Sequence, residues 1–260
     1  LIVTDVAAIA AGGLVGLVLG LIGGGGSVLA VPLLVYVVGV PSAHVAIGTS
    51  AVAVAASAFA NLVAHWRAGN VKARCAAVFA AAGVLGAFAG SSVGKAFDGA
   101  RLLALFGLLM IAIGLVMLRR RGAEGDPAVR LTAATAGRLL PALLGTGFTV
   151  GAFSGFFGIG GGFLVVPGLV FATGMPLANA VGTSLAAVTA FGATTAANYA
   201  VSGLVDWTLV ALFVGGGLAG GLAGMALGRR LAARKRALGT LFAAVVIATG
   251  LYVVARGVTG

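Results

Sequence analysis

Apolar runs separated by short polar intervals divide the chain at about residues 5–22, 28–39, 43–65, 76–94 and 102–118, and again at about 138–157, 160–173, 178–201, 207–228 and 237–255. Most approach the ~20 residues that a helix rising ~1.5 Å per residue needs to cross ~30 Å of hydrocarbon. Two fall short: 28–39 and 160–173 reach only ~18–21 Å, so neither spans alone. The pattern predicts an all-α, polytopic membrane helix bundle with five segments on either side of the one long polar stretch, RRRGAEGDPAVR at 119–130. That stretch reads as a solvent-exposed cytoplasmic linker with a turn at Asp126–Pro127.

The two sets of five segments are copies of one another. Gly23, Gly25, Gly26, Leu29, Val31, Pro32, Leu34, Val35, Gly39, Pro41 and Ala43 recur as Gly158, Gly160, Gly161, Leu164, Val166, Pro167, Leu169, Val170, Gly174, Pro176 and Ala178. After a slip of one residue, Gly48-Thr49-Ser50 matches Gly182-Thr183-Ser184. A single transmembrane domain, 1–260, is thus expected to hold repeat 1 at 1–118, a linker at 119–137 and repeat 2 at 138–260. Glycine-interrupted apolar segments at corresponding places in two halves point to the binding site of a membrane transporter, because a broken helix frees backbone groups to hold a solute.

Composition agrees: hydrophobic residues are 61% of the 260, charged residues 8%, and mean hydropathy is +1.19. The formal charge of +11 does not signal nucleic acid, since the basic residues sit in short clusters between apolar runs with no basic face interleaved with aromatics. They act as topology signals, because Lys and Arg accumulate on the cytoplasmic side. If the halves have opposite orientation, Arg67, Lys72, Arg74, the linker cluster and the cluster from Arg229 to Arg236 put thirteen basic residues on one side, with only Lys95, Arg101 and Arg256 opposite. With equal orientation the split is nine against seven. The bias favours two inverted-topology repeats, each with a glycine-broken or re-entrant short helix. Trp66 and Trp207 sit where indoles prefer the interface. The lone cysteine, Cys75, is read as packing. Glycines four apart at 12, 16 and 20, at 86, 90 and 94, and at 216, 220, 224 and 228 line single helix faces and let backbones approach, within the chain or at a homodimer face.

The strongest candidate for chemistry is the pair GGGGSVLAVP (23–32) and GIGGGFLVVP (158–167). Such glycine runs permit positive φ and weaken a helix, so the chain is expected to unwind there and restart as a short helix near Ser27 or Gly162. A helix that starts inside the membrane presents free N–H groups and the positive end of its dipole, which suit an anion. Pro32 and Pro167 either open these short helices or kink them. The expected anion-binding residues are Gly24, Gly25, Gly26 and Ser27 with Gly160, Gly161 and Gly162. The hydroxyls of Thr49, Ser50, Thr183 and Ser184 add neutral donors, although such hydroxyls equally bond back to their own helix or to a neighbour. Asn61, Thr194, Thr195 and Asn198 lie further along the same helices and line the route or bond between helices. His44 and its counterpart Asn179 fit a cap or gate better than a proton relay. All five carboxylates fall at helix ends or in loops, away from the depth where proton- or sodium-driven carriers usually place one, and export could run on voltage alone, since an anion leaving a cell with a negative interior is already driven by ~2.3 kcal/mol per charge per 100 mV; a coupling ion is left open. No cofactor, metal or catalytic group is expected, since two distant histidines and no buried carboxylate supply neither a metal cluster nor an acid–base pair.

The two GxGGG-type passages ending in VP, each followed by GTS and set in a five-segment half, resemble the TauE/SafE family of sulfite exporters and related organosulfur-anion permeases. Ser27 stands where the last glycine of the run would be. The resemblance implies transport of sulfite, sulfoacetate or a similar small sulfur oxyanion across a bacterial inner (plasma) membrane. What the residues suggest is a small anion held at the interface of the repeats, with one repeat rocking against the other. An anion channel is the alternative reading, and an intramembrane enzyme the one from another class.

Overall fold

The computed structural model of the chain describes residues 2–22, 24–119, 126, 129–160, 162–230 and 235–259. Every regular element among them is helical. The first half contains α1 (Ile2–Ile22), a short segment made of a 3₁₀ turn (Gly24–Leu29), α2 (Ala30–Leu33) and a π turn (Leu34–Val38), then α3 (Ala43–Arg67), α4 (Ala73–Ala96) and α5 (Gly99–Arg119). The second half repeats this order as α6 (Ala133–Phe157), the short α7 (Gly162–Thr173), α8 (Leu177–Val201), α9 (Trp207–Arg230) and α10 (Lys235–Thr259). Eight of these helices are long and apolar enough to cross a membrane; the short segments Gly26–Val38 and Gly162–Thr173 are not.

The apolar runs therefore become helices, with their ends displaced where polar residues extend them. α6 begins at Ala133 rather than near 138, because the Thr132 amide donates to Thr135 Oγ1 at 3.0 Å and the added turn carries Arg138 on a polar end. Residues 120–125, 127 and 128 of the linker, Pro127 of its expected turn among them, lie outside the described residues. Asp126 is described: its amide donates to the Gly174 carbonyl at 3.0 Å. The end of α7 thus returns to the side from which α6 sets out, so α6 and α7 form a re-entrant hairpin. In the first half the short segment likewise doubles back, with Gly26 against Val15 and Leu19 of α1.

The helices pack across the halves. A β-carbon at Gly12 or Gly16 would collide with the carbonyls of Phe213 or Gly217, and one at Gly216, Gly220 or Gly224 with those of Ile9, Gly13 or Leu17. α1 and α9 therefore run parallel in backbone contact. The same holds for α4 and α6, where Gly86 meets Phe148, Gly90 meets Ala152, Gly151 meets Gly83 and Gly155 meets Ala87. These stripes of glycine serve crossings within the chain, and each pairs the first helix of one half with the fourth of the other. Equivalent helices meet in the opposite sense. Gly48 near the start of α3 lies against Leu204 just beyond α8, while Gly182 near the start of α8 lies against Asn70 just beyond α3. Gly107 and Gly114 of α5 face Gly250 and Ile247 of α10, again antiparallel. The bundle has a basic end, where α3 finishes at Arg67 and α4 begins beside Lys72 and Arg74, and an opposite end holding Lys95 and Asp206. Around the crossing of α3 and α8 the core is closed by Phe79, Phe191, Ile47 and Val188, all essentially inaccessible.

Candidate functional site

At the second glycine tract, α6 ends by turning through Gly158 at φ +66° and Gly160 at φ +64°, a left-handed conformation that a side chain disfavours. The Gly158 amide bonds the Gly155 carbonyl and the Ile159 amide bonds that of Ser154, at 3.2 and 3.1 Å, closing the helix end. Helix α7 then starts at Gly162. A β-carbon on Gly160 would lie 2.7 Å from Val54 Cγ1 and 3.7 Å from Val188 Cγ1. Val54 and Val188 stand near the middles of α3 and α8, so the break lies at the centre of their crossing. There the first amides of α7 lack acceptors within their own helix and sit at its positive end. The buried hydroxyl of Ser154, in the last turn of α6, has no hydrogen-bond partner; nor has that of Thr195 on α8. Ser154 was not singled out from sequence, although it stands only four residues before Gly158.

The first tract differs. The chain enters a 3₁₀ turn at Gly24 and regains α geometry only at Ala30, so there is no clean restart at Ser27. Gly24, Gly25 and Gly26 all lie in this turn, and Ser27 is fully buried in it. The missing side chain of Gly26 lets the turn sit on α1, since a β-carbon there would lie 2.7 Å from both Leu19 N and Val15 O. Pro32 and Pro167 both stand inside their helices rather than opening them. Gly161 lies outside the described residues.

The GTS motifs tie the halves together. Thr49 Oγ1 accepts from the amide of Asp206, in the loop after α8, at 3.0 Å. Thr183 Oγ1 accepts from the amide of Lys72, in the equivalent loop after α3, also at 3.0 Å. Both threonines are fully buried. Each motif thus caps the loop of the other half. Ser50 Oγ donates to the Ile47 carbonyl at 2.9 Å and lies 3.5 Å from that of Gly158, which joins α3 to the second break. Ser184 donates to the Val181 carbonyl in its own helix.

The remaining candidates are dispersed. Asn61 and Thr194 donate to carbonyls of their own helices, Ser57 and Ala190. His44 Nε2 donates to the Phe97 carbonyl at 3.1 Å, which fixes its proton there, and Asn179 Nδ2 donates to the Asn70 carbonyl at 3.4 Å. The two therefore hold loops at opposite ends of the bundle. Asn198 is engaged by Lys95, a residue counted from sequence only as a topology charge. Two grooves of about 360 Å³ each are apolar and contain none of the expected binding residues: one runs between α3 and α8 past Ala55, Ala196 and Trp207, the other between α6 and α7 past Thr149, Leu164 and Phe171. No group of three or more His, Cys, Asp or Glu side chains with metal-holding geometry occurs among the described residues. Cys75 is free and buried.

Residues 8–253 match the family described as sulfite exporter TauE/SafE. The chain belongs to the TauE/SafE family. Two relatives support the membership over almost the whole length. A probable membrane transporter protein of Xylella fastidiosa (strain 9a5c) is 53% identical over 248 residues, covering 95% of this chain and 94% of the relative. Its counterpart in strain Temecula1 / ATCC 700964 is 52% identical over the same length. Among solved structures none matches this TauE/SafE chain.

Proposed function

We propose that this protein is a secondary transporter of the bacterial inner membrane that exports sulfite or a small organosulfonate anion by alternating access between two inverted repeats. Family membership and the two relatives support a membrane transporter. The observation that carries the finer reading is the helix break at Gly158–Gly162. It lies at the crossing of α3 and α8, with a twelve-residue helix starting from it and the unpartnered Ser154 hydroxyl beside it. Amide donors and neutral hydroxyls in a low-dielectric setting recognise an oxyanion without placing a fixed charge in the membrane. The antiparallel contacts of α3 with α8 and of α5 with α10 support inverted copies, which would exchange the accessible end as one rocks against the other.

The test is flux of radiolabelled sulfite and sulfoacetate in proteoliposomes with an imposed potential. The expected result is saturable, potential-driven movement with counterflow, the anion emerging chemically unchanged. Flux that neither saturates nor shows counterflow would assign a channel, and an altered product would assign an enzyme. No movement of either anion removes the substrate reading.

A further inference from the structure

We propose that Lys95 is the bolt of an anion-operated latch that closes the end of the bundle opposite the basic clusters, a proposal that rests on the transporter reading. Lys95 lies near the end of α4 in the first half, and its partners lie at the end of α8 in the second. Its ammonium donates to the Asn198 carbonyl at 3.0 Å, to Asn198 Oδ1 at 2.8 Å and to Ser202 Oγ at 2.8 Å. All three protons are thereby used. The Asn198 amide donates back to α4, to Ser91 Oγ at 2.7 Å and Ser92 Oγ at 3.0 Å. Five hydrogen bonds thus cross between the halves at one spot, and none of their acceptors is charged.

That last point makes the latch responsive. The half-buried Lys95 has no carboxylate partner among the described residues, so its charge is solvated only by neutral oxygens. Tyr199 lies beside it, fully buried, with its ring centre 6.0 Å from the ammonium and its hydroxyl without a partner. An oxyanion arriving here finds a cation without a counter-charge, and its full negative charge attracts the ammonium more strongly than the neutral oxygens it displaces. Taking the ammonium from Asn198 and Ser202 breaks three of the five bonds that join α4 to α8 at this end and leaves only those of the Asn198 amide. At the basic end the same two helices stay joined through the Lys72 amide and Thr183.

The other copy has Arg229 at the position of Lys95 but does not have the same partners. The positions equivalent to Asn198, Ser202, Ser91 and Ser92 are Ala64, Ala68, Met225 and Ala226. The amide and hydroxyls that hold Lys95 thus stand at one end alone of the two equivalent places, and the anion that crosses is also the one that releases the latch.

The latch is tested by the rate at which a membrane-impermeant maleimide labels a reporter thiol, Thr195→Cys, in full-length protein in lipid nanodiscs with Cys75→Ser. Thr195 is fully buried on α8, one turn before Tyr199. Lys95→Met and Asn198→Leu are each expected to raise labelling roughly tenfold, as for a population shift caused by losing a hydrogen-bonded cation, while Lys95→Arg stays near the parent. Sulfoacetate, or failing that sulfate, is expected to raise labelling in the parent and not in Lys95→Met. Unchanged labelling in both neutral variants, with each still eluting as a single monodisperse peak, overturns the latch. Labelling that rises in the variants but ignores both anions overturns its operation by anion. Vesicle flux separates the two readings. Absent flux with the labelling pattern intact removes the substrate assignment alone, and normal flux with unchanged labelling removes the latch alone.

Discussion

At Gly158–Gly162 the chain leaves α6 through two left-handed glycines and starts a twelve-residue helix at the centre of the bundle. At Gly24–Leu29 the same motif tightens into a 3₁₀ turn with Gly26 seated on the backbone of α1. In the first tract Ser27 stands where the second has Gly162, and Gly24 where it has Ile159. One repeated segment thus supplies the unpaired first amides of a buried helix start in one half and a packed turn in the other. A two-fold pattern of helices does not make a two-fold site, and the latch residues at a single end make the same point.

The sharpest way to break the comparison of the halves is to ask which side each faces. In a Cys75→Ser background, Ala68→Cys, just past α3, and Thr208→Cys, at the start of α9, are expected to react with an impermeant thiol reagent from opposite sides of intact vesicles, all or none. Reaction from the same side would undo the inverted arrangement.

Next in size come the tracts themselves. Gly160→Ala places a side chain at φ +64°, a cost of about 1–2 kcal/mol, and presses on Val54, where overpacking adds about 1–3 kcal/mol. Val54→Ala should recover the second part and not the first. Gly26→Ala is expected to cost about 1–3 kcal/mol with no rescue by truncating a neighbour, because its β-carbon meets backbone atoms of Val15 and Leu19. Thermal midpoints of the single and double variants in detergent read both effects, and equal rescue in the two tracts would erase the difference between them.

The smallest effects test where the halves are alike. Thr49→Ala and Thr183→Ala each strand a loop amide of the opposite half, a loss of about 1–3 kcal/mol apiece, and serine at either place should restore most of it. A fall in anion flux with the thermal midpoint unchanged would instead mean that the hydroxyl touches the anion.

The order of the ten helical segments, the shortness of two of them and the internal duplication were all legible in the chain, because hydrophobic length and glycine content act locally and the bilayer enforces them. The left-handed turn before Gly162 was legible for the same reason. What each polar side chain does was not. Thr49 and Thr183 read equally well as anion donors or as interhelical bonds, and only folding brings the loops at Asp206 and Lys72 against them. Lys95 resembled any flanking charge until the crossing of α4 and α8 put Asn198 and Ser202 within its reach, across more than a hundred residues of chain. The sequence by itself determined the membrane class, the segments and the places where helices break. The tertiary structure alone decided which tract restarts as an α-helix and which polar groups pair. Such choices depend on backbones brought together from distant segments, where one missing β-carbon or one hydroxyl within 3.0 Å sets the outcome.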